Sequence, residues 1–279
     1  MSETFIPSWP VLSSADFQKI SRLAFERVGL HLPEGKEGLV SARLGRKIRQ
    51  EGFASFSEYY HHVVADRTGN ALIELIDALT TNFTSFMREP AHFEFLREAA
   101  LREFRMVFPL KVWSAACSSG EEPYSAAMTL LEALEGRAAA GVQIVASDIS
   151  TRVLKIAKEA IYEEEKFRGL PESWRRKYLL KGTGAREGTY KFKHLVTSMV
   201  QFERRNLIEP LPPRRFHFIF CRNVMIYFNT QTQQQIVSRL TDCLEPGGYL
   251  FIGHAESLSG IHHTLRFVQP AVYRNPAAK

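Results

Sequence analysis

Three carboxylates in this sequence stand where an open parallel sheet binds its ligands. Glu121 and Glu122 follow Gly120 in a loop of small residues, after an apolar strand pattern at 110–116 and before a helical pattern. Strand, short loop and helix form the first crossover of such a sheet, and ligands bind where its strands end. Asp148 ends the next apolar run, where these folds hold the hydroxyls of a ribose. Because acids repel a phosphate, the pattern favours a ligand that carries hydroxyls and a positive charge.

Several common catalytic motifs are missing from the sequence. It has no G-x-G-x-x-G for a dinucleotide, no G-x-x-x-x-G-K-[ST] for a nucleotide phosphate and no G-x-S-x-G nucleophile elbow. Histidine pairs at 61–62 and 262–263 lack a third metal ligand, so we predict no metal site. Cys117 lies in the first crossover loop as either a nucleophile or a small apolar filler. The lack of a nearby histidine favours the filler.

The composition is that of a globular protein, and its net positive charge favours an acidic partner. Of 279 residues, 45% are hydrophobic and 24% are charged, and no apolar run approaches the roughly 20 residues of a membrane helix. Residues 1–10 lack the features of a signal peptide, and three cysteines form an odd count, so we expect a cytoplasmic protein without membrane insertion. A formal net charge of +6 leaves nucleic acid, anionic lipid and an acidic protein surface open as partners.

A small all-helical domain is predicted for residues 1–82. Its apolar residues recur with helical spacing in four segments, at 17–28, 36–50, 53–64 and 71–79. The second helix is strongly basic, with Arg43, Arg46 and Lys47 away from its apolar residues. This face is either simply solvated or a docking surface for an acidic partner.

The remaining residues, 83–279, alternate strand and helix patterns as an α/β sheet does. The strand patterns lie at 110–116, 142–147, 200–204, 216–221 and 249–253, with a closing hairpin at 265–268 and 271–273. A charged stretch at about 163–197 interrupts them, and its extended pieces flank a glycine-rich turn from Gly182 to Gly188. We expect an inserted antiparallel β-subdomain whose edge accepts a strand from a partner. The polar segment at 83–92 is either a linker or a lid over the ligand.

Four strings, taken together and in this order, resemble the CheR family of chemotaxis receptor methyltransferases. They are L-T-T-N-F-T-S-F-M-R-E at 79–89, W-S-A-A-C-S-S-G-E-E-P-Y-S at 113–125, A-S-D-I at 146–149 and F-C-R-N-V-M-I-Y-F at 220–228. The resemblance covers essentially the whole chain. It implies a Rossmann-like, S-adenosylmethionine-dependent methyltransferase sheet, with an N-terminal all-helical docking domain and an inserted small antiparallel β-subdomain. It also implies methyl transfer from S-adenosylmethionine to glutamate side chains of chemoreceptors, with S-adenosylhomocysteine as the second product.

The resemblance further implies which residues hold the cofactor. Glu122 is expected at the amino group of the methionyl part, Asp148 at the ribose hydroxyls, and Asn206 and Leu207 on either side of the adenine. The other expected contacts come from the segment before the sheet and from the end of the fourth strand: Asn82, Thr84, Arg88, Arg222 and Asn223. Taken singly, Glu122 also fits a helix-dipole acid and Asp148 a helix cap. The ordered set favours the cofactor site.

The implied chemistry requires positioning and no base. A glutamate carboxylate with a pKa near ~4.3 is already ionised at neutral pH. Arg88 is the candidate for orienting this carboxylate, and Tyr227 for lining the path of the methyl group.

The resemblance also implies a partner for the basic face of the second helix and for the edge of the inserted β-subdomain. The receptor's glutamate-rich helical bundle would dock on Arg43, Arg46 and Lys47, and the turn from Gly182 to Gly188 is similar to that of members that bind a receptor C-terminal peptide. A nucleic-acid enzyme is disfavoured, because no proline follows Asn223 to complete the motif that holds an extruded base. The intact acidic site argues against a cofactor-binding signalling module without catalysis.

Overall fold

The computed structural model describes residues 10–134, 141–211 and 213–277. It divides into two compact units, Met1–Thr81 and Asn82–Lys279, next to the boundary expected after residue 82. No helix in the described part of the chain is long and apolar enough to cross a membrane. Residues 1–9, which hold most of the stretch examined for a signal peptide, lie outside the described residues.

The described part of the first unit is helical. Its helices are α1 Ser14–Val28, α2 Glu37–Gln50, α3 Phe56–Ala65 and α4 Asn70–Leu79. Helix α1 begins at Ser13, whose Oγ accepts a hydrogen bond from the backbone N–H of Asp16 at 3.1 Å. It ends at Gly29, whose left-handed φ of 74° costs a glycine little. Of the residues predicted to face the core, Ile20, Val40, Leu44 and Ile48 are buried, whereas Leu39 is 40% exposed.

The second unit contains ten strands and six helices in its described residues. The strands are β1 Leu110–Ser114, β2 Val142–Asp148, β3 Ile161–Glu163, β4 Leu179–Lys181, β5 Thr189–Phe192, β6 Val200–Arg204, β7 Phe216–Phe220, β8 Leu244–Phe251, β9 Arg266–Gln269 and β10 Val272–Arg274. The helices are α5 Pro90–Arg102, α6 Glu121–Leu134, α7 Thr151–Glu159, α8 Glu172–Tyr178, α9 His194–Thr197 and α10 Thr230–Asp242.

A seven-stranded sheet positions the site, with strand order β6-β2-β1-β7-β8-β10-β9. Strand β1 pairs in parallel with β2 on one side and with β7 on the other, and β10 runs antiparallel to β8 and β9. The strand order therefore reverses beside β1. The crevice at the carboxyl ends of β1 and β7 is the place where such sheets bind ligands.

Aromatic side chains fill the core on one face of this sheet. Phe220 and Phe251 stack with ring centroids 4.3 Å apart, and Phe218 and Tyr249 stack at 5.9 Å. On the other face, α10 buries Ile236, Val237 and Leu240 in a second cluster. Strand β7 is buried on both sides, as its nearly uninterrupted apolar sequence leads one to expect.

The inserted subdomain is a three-stranded antiparallel sheet in the order β3-β5-β4. The predicted hairpin is β4 and β5, but the sequence pattern carried the preceding helix through residue 163. Helix α7 instead ends at Glu159, because Ala160 takes a left-handed φ of 55° and the chain continues into β3. Pairing of Tyr162 with Tyr190 then places β5 in the centre and leaves β3 and β4 as edges.

The start of β8 also differs from the prediction. The E-P-G-G sequence at 245–248 predicts a tight turn, with the strand starting only at 249. The strand begins at Leu244, and the extra residues form an irregularity between Phe216 and Phe218 of the partner strand. Gly248 has no room for a side chain, since a Cβ there would lie 2.9 Å from the carbonyl oxygen of His217.

Candidate active site

Glu122 lies at the carboxyl end of β1, in the first turn of α6. Its Oε1 accepts a hydrogen bond from Ser114 Oγ at 2.6 Å, and its Oε2 accepts one from Arg222 Nη1 at 3.0 Å. Burial raises the pKa of Glu122 above its ordinary value, although Arg222 and Ser114 oppose this shift. The carboxylate is therefore held in a fixed place, and Arg222 only partly compensates its negative charge.

Arg222 is the cation at the centre of the site. Its side chain is 1% exposed and directly follows β7. Besides Glu122, the guanidinium donates from Nη2 to the carbonyl oxygen of Arg88 at 2.5 Å and to Glu89 Oε2 at 2.9 Å. Its carbon lies 5.6 Å from the ring centroid of Phe93. Arg222 thus joins the ends of β1 and β7 to the segment that precedes α5.

Glu89 is a site residue for which the sequence analysis gave no role. Its backbone is left-handed, with φ 58°, and its side chain accepts hydrogen bonds from Asn223 Nδ2 at 3.4 Å and from the N–H of His254 at 3.2 Å. Burial raises the pKa of Glu89, but the bonds from Arg222, His254 and Asn223 outweigh it, so the pKa lies below its ordinary value. In the sequence, its position directly before Pro90 indicated only the start of a helix.

Glu256 holds the loop that follows β7. Its Oε2 accepts hydrogen bonds from the N–H groups of Asn223 at 2.8 Å and Gly253 at 2.6 Å, and its Oε1 accepts one from Met225 at 2.8 Å. Tyr227 lies in the single helical turn that starts at Met225 and is half-buried. The loop that carries both Asn223 and Tyr227 is therefore fixed by a residue that the sequence analysis missed.

Asp148 ends β2 and faces the crossover loop of β1. Its Oδ2 accepts from the N–H of Ser118 at 2.8 Å, and its Oδ1 accepts from the N–H of Ser150 at 2.9 Å. The cap of α7 is Ser150, whose Oγ accepts from the N–H of Val153, so Asp148 is not the helix cap. Asp148 therefore joins the end of β2 to the crossover loop of β1.

Glu121 corrects the expectation that both neighbouring acids face the ligand. It is fully buried, accepts a hydrogen bond from Ser119 Oγ at 2.7 Å and forms an ion pair with Lys166 of the inserted subdomain. Gly120 serves packing as well, because a Cβ there would lie 2.8 Å from Ala157 Cβ. Only Glu122 of the two acids meets Arg222.

The segment from Asn82 to Glu89 is packed along the second unit. Ser118 Oγ donates to the carbonyl oxygen of Asn82 at 3.1 Å, and the N–H of Met87 donates to Ser125 Oγ at 3.0 Å. The ring of Phe86 stacks on Phe167 at 4.7 Å. These contacts place the segment against the site.

Arg88 and Thr84, which this segment carries, are both half-buried. Arg88 Nη1 donates to the carbonyl oxygen of Phe83 at 2.9 Å, and its guanidinium lies 5.8 Å from the Phe83 ring. The side chain of Arg88 thus folds back on its own segment, while its carbonyl oxygen is held by Arg222.

Asn206 and Leu207 follow β6, on the far side of β2. The Leu207 side chain is 7% exposed and packs in the same cluster as Trp113 and Ile219. Asn206 Oδ1 accepts from the N–H of Ile208 at 3.3 Å, and Arg239 donates to the carbonyl oxygen of Leu207 at 3.4 Å. These hydrogen bonds therefore fix the conformation of the loop that is predicted to border the adenine.

Cys117 is buried against Ala146 and Leu154. Burial raises the pKa of its thiol well above the ordinary value, with Asp148 and Glu122 adding to the shift. Because the thiolate is the nucleophilic form, this environment supports the filler and not the nucleophile.

The basic face of α2 is less free than its sequence suggests. Arg43 donates to the carbonyl oxygen of Leu79 and to Thr81 Oγ1, so it closes the end of α4. Lys47 pairs with Glu51 and Glu74. Arg46, in contrast, is exposed. Of the three predicted docking residues, Arg46 presents its charge to solvent most directly.

Two family models match the chain. One is described as the CheR methyltransferase SAM binding domain, at residues 82–273, and the other as the CheR methyltransferase all-alpha domain, at residues 15–80. The chain belongs to the CheR methyltransferase family. Chemotaxis protein methyltransferase 2 of Pseudomonas aeruginosa is 40% identical over 260 residues, which are 92% of each chain. The chemotaxis protein methyltransferase of Escherichia coli is 39% identical over 267 residues, which cover 94% of this chain and 91% of the relative.

These matches confirm the predicted family, the α/β methyltransferase fold and the methyltransferase activity. They also confirm S-adenosylmethionine as the cofactor of this CheR protein. The residues present suit it. Glu122 is a buried acid that an ammonium or sulfonium charge would stabilise, and Asp148 is a carboxylate at the end of β2, where such sheets hold a ribose.

Proposed function

We propose that this CheR protein transfers a methyl group from S-adenosylmethionine to glutamate side chains of chemoreceptors. The product is a glutamate methyl ester, and S-adenosylhomocysteine is released. This choice of substrate is supported by the contacts that the acids at the edge of the sheet make within the protein. Glu122 and Glu89 bind Arg222, and Asp148 binds backbone N–H groups. All three acids are engaged by the protein's own hydrogen-bond donors, so the arrangement suits an acceptor that is already ionised.

A receptor glutamate fits this requirement. Its carboxylate, with a pKa near ~4.3, needs no base at neutral pH. The bound cofactor supplies a methyl group that is activated by its attachment to a positive sulfur. The protein contributes alignment of the two reactants, which is worth roughly 7–11 kcal/mol of the barrier.

The roles of individual residues follow from this chemistry. Glu122 binds the amino group of the cofactor and Asp148 its ribose hydroxyls. Asn206 and Leu207 border the adenine, and the remaining contacts come from Asn82, Thr84, Arg88, Arg222 and Asn223. Arg88 orients the substrate carboxylate by turning from Phe83 toward it, and Tyr227 lines the path of the methyl group.

Receptor docking is assigned to unit 1 and to the inserted subdomain. The acidic face of the receptor bundle binds the basic face of α2, with Arg46 as the exposed charge and Arg43 and Lys47 behind it. A receptor C-terminal peptide adds a strand to an edge of the β3-β5-β4 sheet, next to the turn from Gly182 to Gly188. Both partners lie in the cytoplasm, where we place this protein.

The test is methylation of a purified receptor cytoplasmic fragment with labelled S-adenosylmethionine. We expect label that base releases, because esters hydrolyse and N-methyl groups do not. A fragment whose methylation-site glutamates are replaced by alanine serves as the control and should take up no label. Base-stable label, or label on RNA in a parallel reaction, would contradict the proposal.

A further inference from the structure

Glu89, His92 and His254 bring three potential metal-ligand atoms together beside the site. Each side chain offers one ligand atom, and these atoms all lie within 4.8 Å of one another. Among the described residues, no other group of three or more histidine, cysteine or acidic side chains is close enough to bind one ion. We propose that this cluster binds a zinc-like divalent metal ion and that the ion competes with Arg222 for Glu89.

Two elements of the fold converge to build the cluster. Glu89 directly precedes α5 and His92 lies in its first turn, and the left-handed backbone of Glu89 leaves the two side chains close together. His254 follows the carboxyl end of β8. Glu89 Oε2 lies 3.5 Å from His92 Nδ1, and the rings of His92 and His254 are 4.7 Å apart between centroids at an angle of 81°. Tetrahedral zinc ligands at their usual bond lengths are about 3.3 Å from one another, so side-chain shifts of up to about 1.5 Å would close the site.

The state of His92 independently indicates a ligand. Its side chain is fully buried, and neither ring nitrogen has a hydrogen-bond partner. Buried polar atoms without partners are rare, and two on one ring leave two lone-pair or N–H positions unused. A metal bond to Nδ1 would satisfy one of them. Two histidines and one carboxylate are a ligand set that zinc favours.

The cysteines do not compete for such an ion. Cys117, Cys221 and Cys243 are all buried. A thiophilic metal added to the folded protein therefore meets histidine and carboxylate before thiolate. Among the described residues, the histidine pairs at 61–62 and 262–263 belong to no such group of three ligands.

Metal binding has a direct consequence for the Arg222 network. Glu89 Oε2, the atom nearest His92 Nδ1, also accepts the hydrogen bond from Arg222 Nη2 at 2.9 Å. A metal at this oxygen loosens Glu89 from Arg222, and Arg222 is also the partner of Glu122. We therefore expect the ion to weaken cofactor binding, and the cofactor must weaken metal binding by the same factor.

The experiment is titration of the full chain with Zn²⁺ by calorimetry and with Co²⁺ by visible absorption. His254→Ala removes an exposed ligand and leaves the backbone N–H of residue 254 on Glu89. His262→Ala removes an exposed histidine outside the cluster and is the matched control. We expect one site in the wild type and in His262→Ala. Because loss of an outer-shell partner alone costs about 10–100-fold in metal affinity, His254→Ala should lose at least about tenfold.

A second measurement tests the competition. Affinity for S-adenosylhomocysteine should fall in the presence of Zn²⁺ in the wild type and should be unchanged by Zn²⁺ in His254→Ala. No binding of either metal, or equal binding by His254→Ala and the wild type, would overturn the proposal. Neither readout depends on receptor methylation, so its failure is distinct from failure of the proposed function.

Discussion

Glu122 combines burial with a negative charge that one arginine only partly compensates. Its pKa is raised by burial, so at mildly acidic pH part of the free protein carries a proton on this carboxyl. A cationic amino group beside it favours the ionised form. Cofactor binding should therefore release a proton, and affinity should rise with pH until Glu122 is fully ionised.

Replacing Glu122 by glutamine tests this linkage. Glu122→Gln keeps the shape but removes the charge, and loss of a hydrogen bond to a charged group costs about 1.5–3 kcal/mol, or about 10- to 150-fold in affinity. Calorimetry with S-adenosylhomocysteine in two buffers of different ionisation enthalpy measures both quantities. The wild type should release protons and the variant should not. Equal proton release by both proteins would show that another group titrates.

Arg88 and Tyr227 should affect turnover more than cofactor affinity. The contact of Arg88 with Arg222 is made by its carbonyl oxygen, which Arg88→Ala retains. Misplacement of a reactant by about 1 Å costs about 10²-fold in rate, so we expect a loss of that order in kcat for Arg88→Ala and a smaller one for Tyr227→Phe.

Steady-state methylation of a receptor fragment and a separate titration with S-adenosylhomocysteine distinguish these two effects. Phe83, the contact of the Arg88 guanidinium, provides a matched variant. Phe83→Leu should leave the affinity for the cofactor unchanged. Wild-type turnover in both Arg88→Ala and Tyr227→Phe would remove these residues from the reaction.

The residues that sequence reasoning finds and misses differ in how far their partners lie along the chain. Glu122 begins the helix after the first crossover loop and Asp148 ends the next strand, and both positions are recognisable in the sequence. Glu89 and Glu256 are defined by contacts with residues more than thirty positions away, at His254 and at Asn223. No local pattern encodes such contacts, so only the folded chain shows them.

At the scale of elements, the loop after β7 depends on one carboxylate. Glu256 accepts from three backbone N–H groups, and a buried donor left without its partner costs about 1–3 kcal/mol. Glu256→Ala should lower the free energy of unfolding by about 2 kcal/mol and reduce turnover, because the loop carries Tyr227. Urea unfolding and methylation assays measure the two effects.

Glu159→Ala, at an exposed glutamate that ends α7, is the control for this change and should be neutral in both. Glu256→Gln retains one carbonyl acceptor and should lie between Glu256→Ala and the wild type. Wild-type stability in Glu256→Ala would mean that water replaces the carboxylate without cost.

The start of α4 gives an element-scale prediction with a pH signature. Its N-cap is Gly69, which has no side chain to offer, and Asp66 instead accepts hydrogen bonds from Thr68 and from the N–H of Ala71. The bonds from Thr68 and Ala71 lower the pKa of Asp66 to about 2 from an ordinary 3.8. Because the folded pKa is the lower one, this stabilisation is present above pH 3.8 and is lost as the pH falls toward 2.

Asp66→Asn should therefore lower Tm at neutral pH, and the difference from the wild type should shrink between pH 4 and 2. Thermal unfolding followed by circular dichroism gives both values. Glu26→Gln, an exposed change on α1, should leave Tm unchanged across the same range. A constant difference at all pH values would contradict the assignment of the effect to the ionised carboxylate.

Secondary structure was predictable where period and end signals agree. The helices of the first unit and the strands β1 and β2 combine regular apolar spacing with glycine or serine at or near their ends, and β7 is a nearly uninterrupted apolar run. Strand β3 and the strand structure of residues 245–248 were not predictable, because each depends on pairing with a distant strand. Local sequence favoured a longer helix in the first case and a turn in the second.

At the scale of the whole molecule, the net charge of +6 is less informative than its distribution. Much of the basic character of α2 is used inside the first unit, where Arg43 closes α4 and Lys47 joins Glu51 and Glu74. Sequence alone gives these residues the same role as Arg46, since it shows the charges and not their partners. The structure separates Arg43 and Lys47, which hold the unit together, from Arg46, whose side chain is exposed to solvent.

This separation leads to opposite expectations for two changes on the same helix. Arg46→Glu should weaken binding of a receptor cytoplasmic fragment by about tenfold at low ionic strength and leave Tm unchanged. Lys47→Ala should lower Tm, because it leaves Glu51 and Glu74 without their partner, and should change receptor binding less. The effect of Arg46→Glu should fade at about 1 M salt, where the screening length is about 3 Å.

Arg22→Glu supplies the matched control, because Arg22 is also exposed but lies on α1. A binding loss shared by Arg46→Glu and Arg22→Glu would show that only the overall charge of the protein attracts the receptor. A loss confined to Arg46→Glu would locate the contact on α2. Binding that is unchanged in Arg46→Glu, with a loss in Lys47→Ala at unchanged Tm, would mean that the receptor displaces Glu51 and Glu74 from Lys47 and docks there instead.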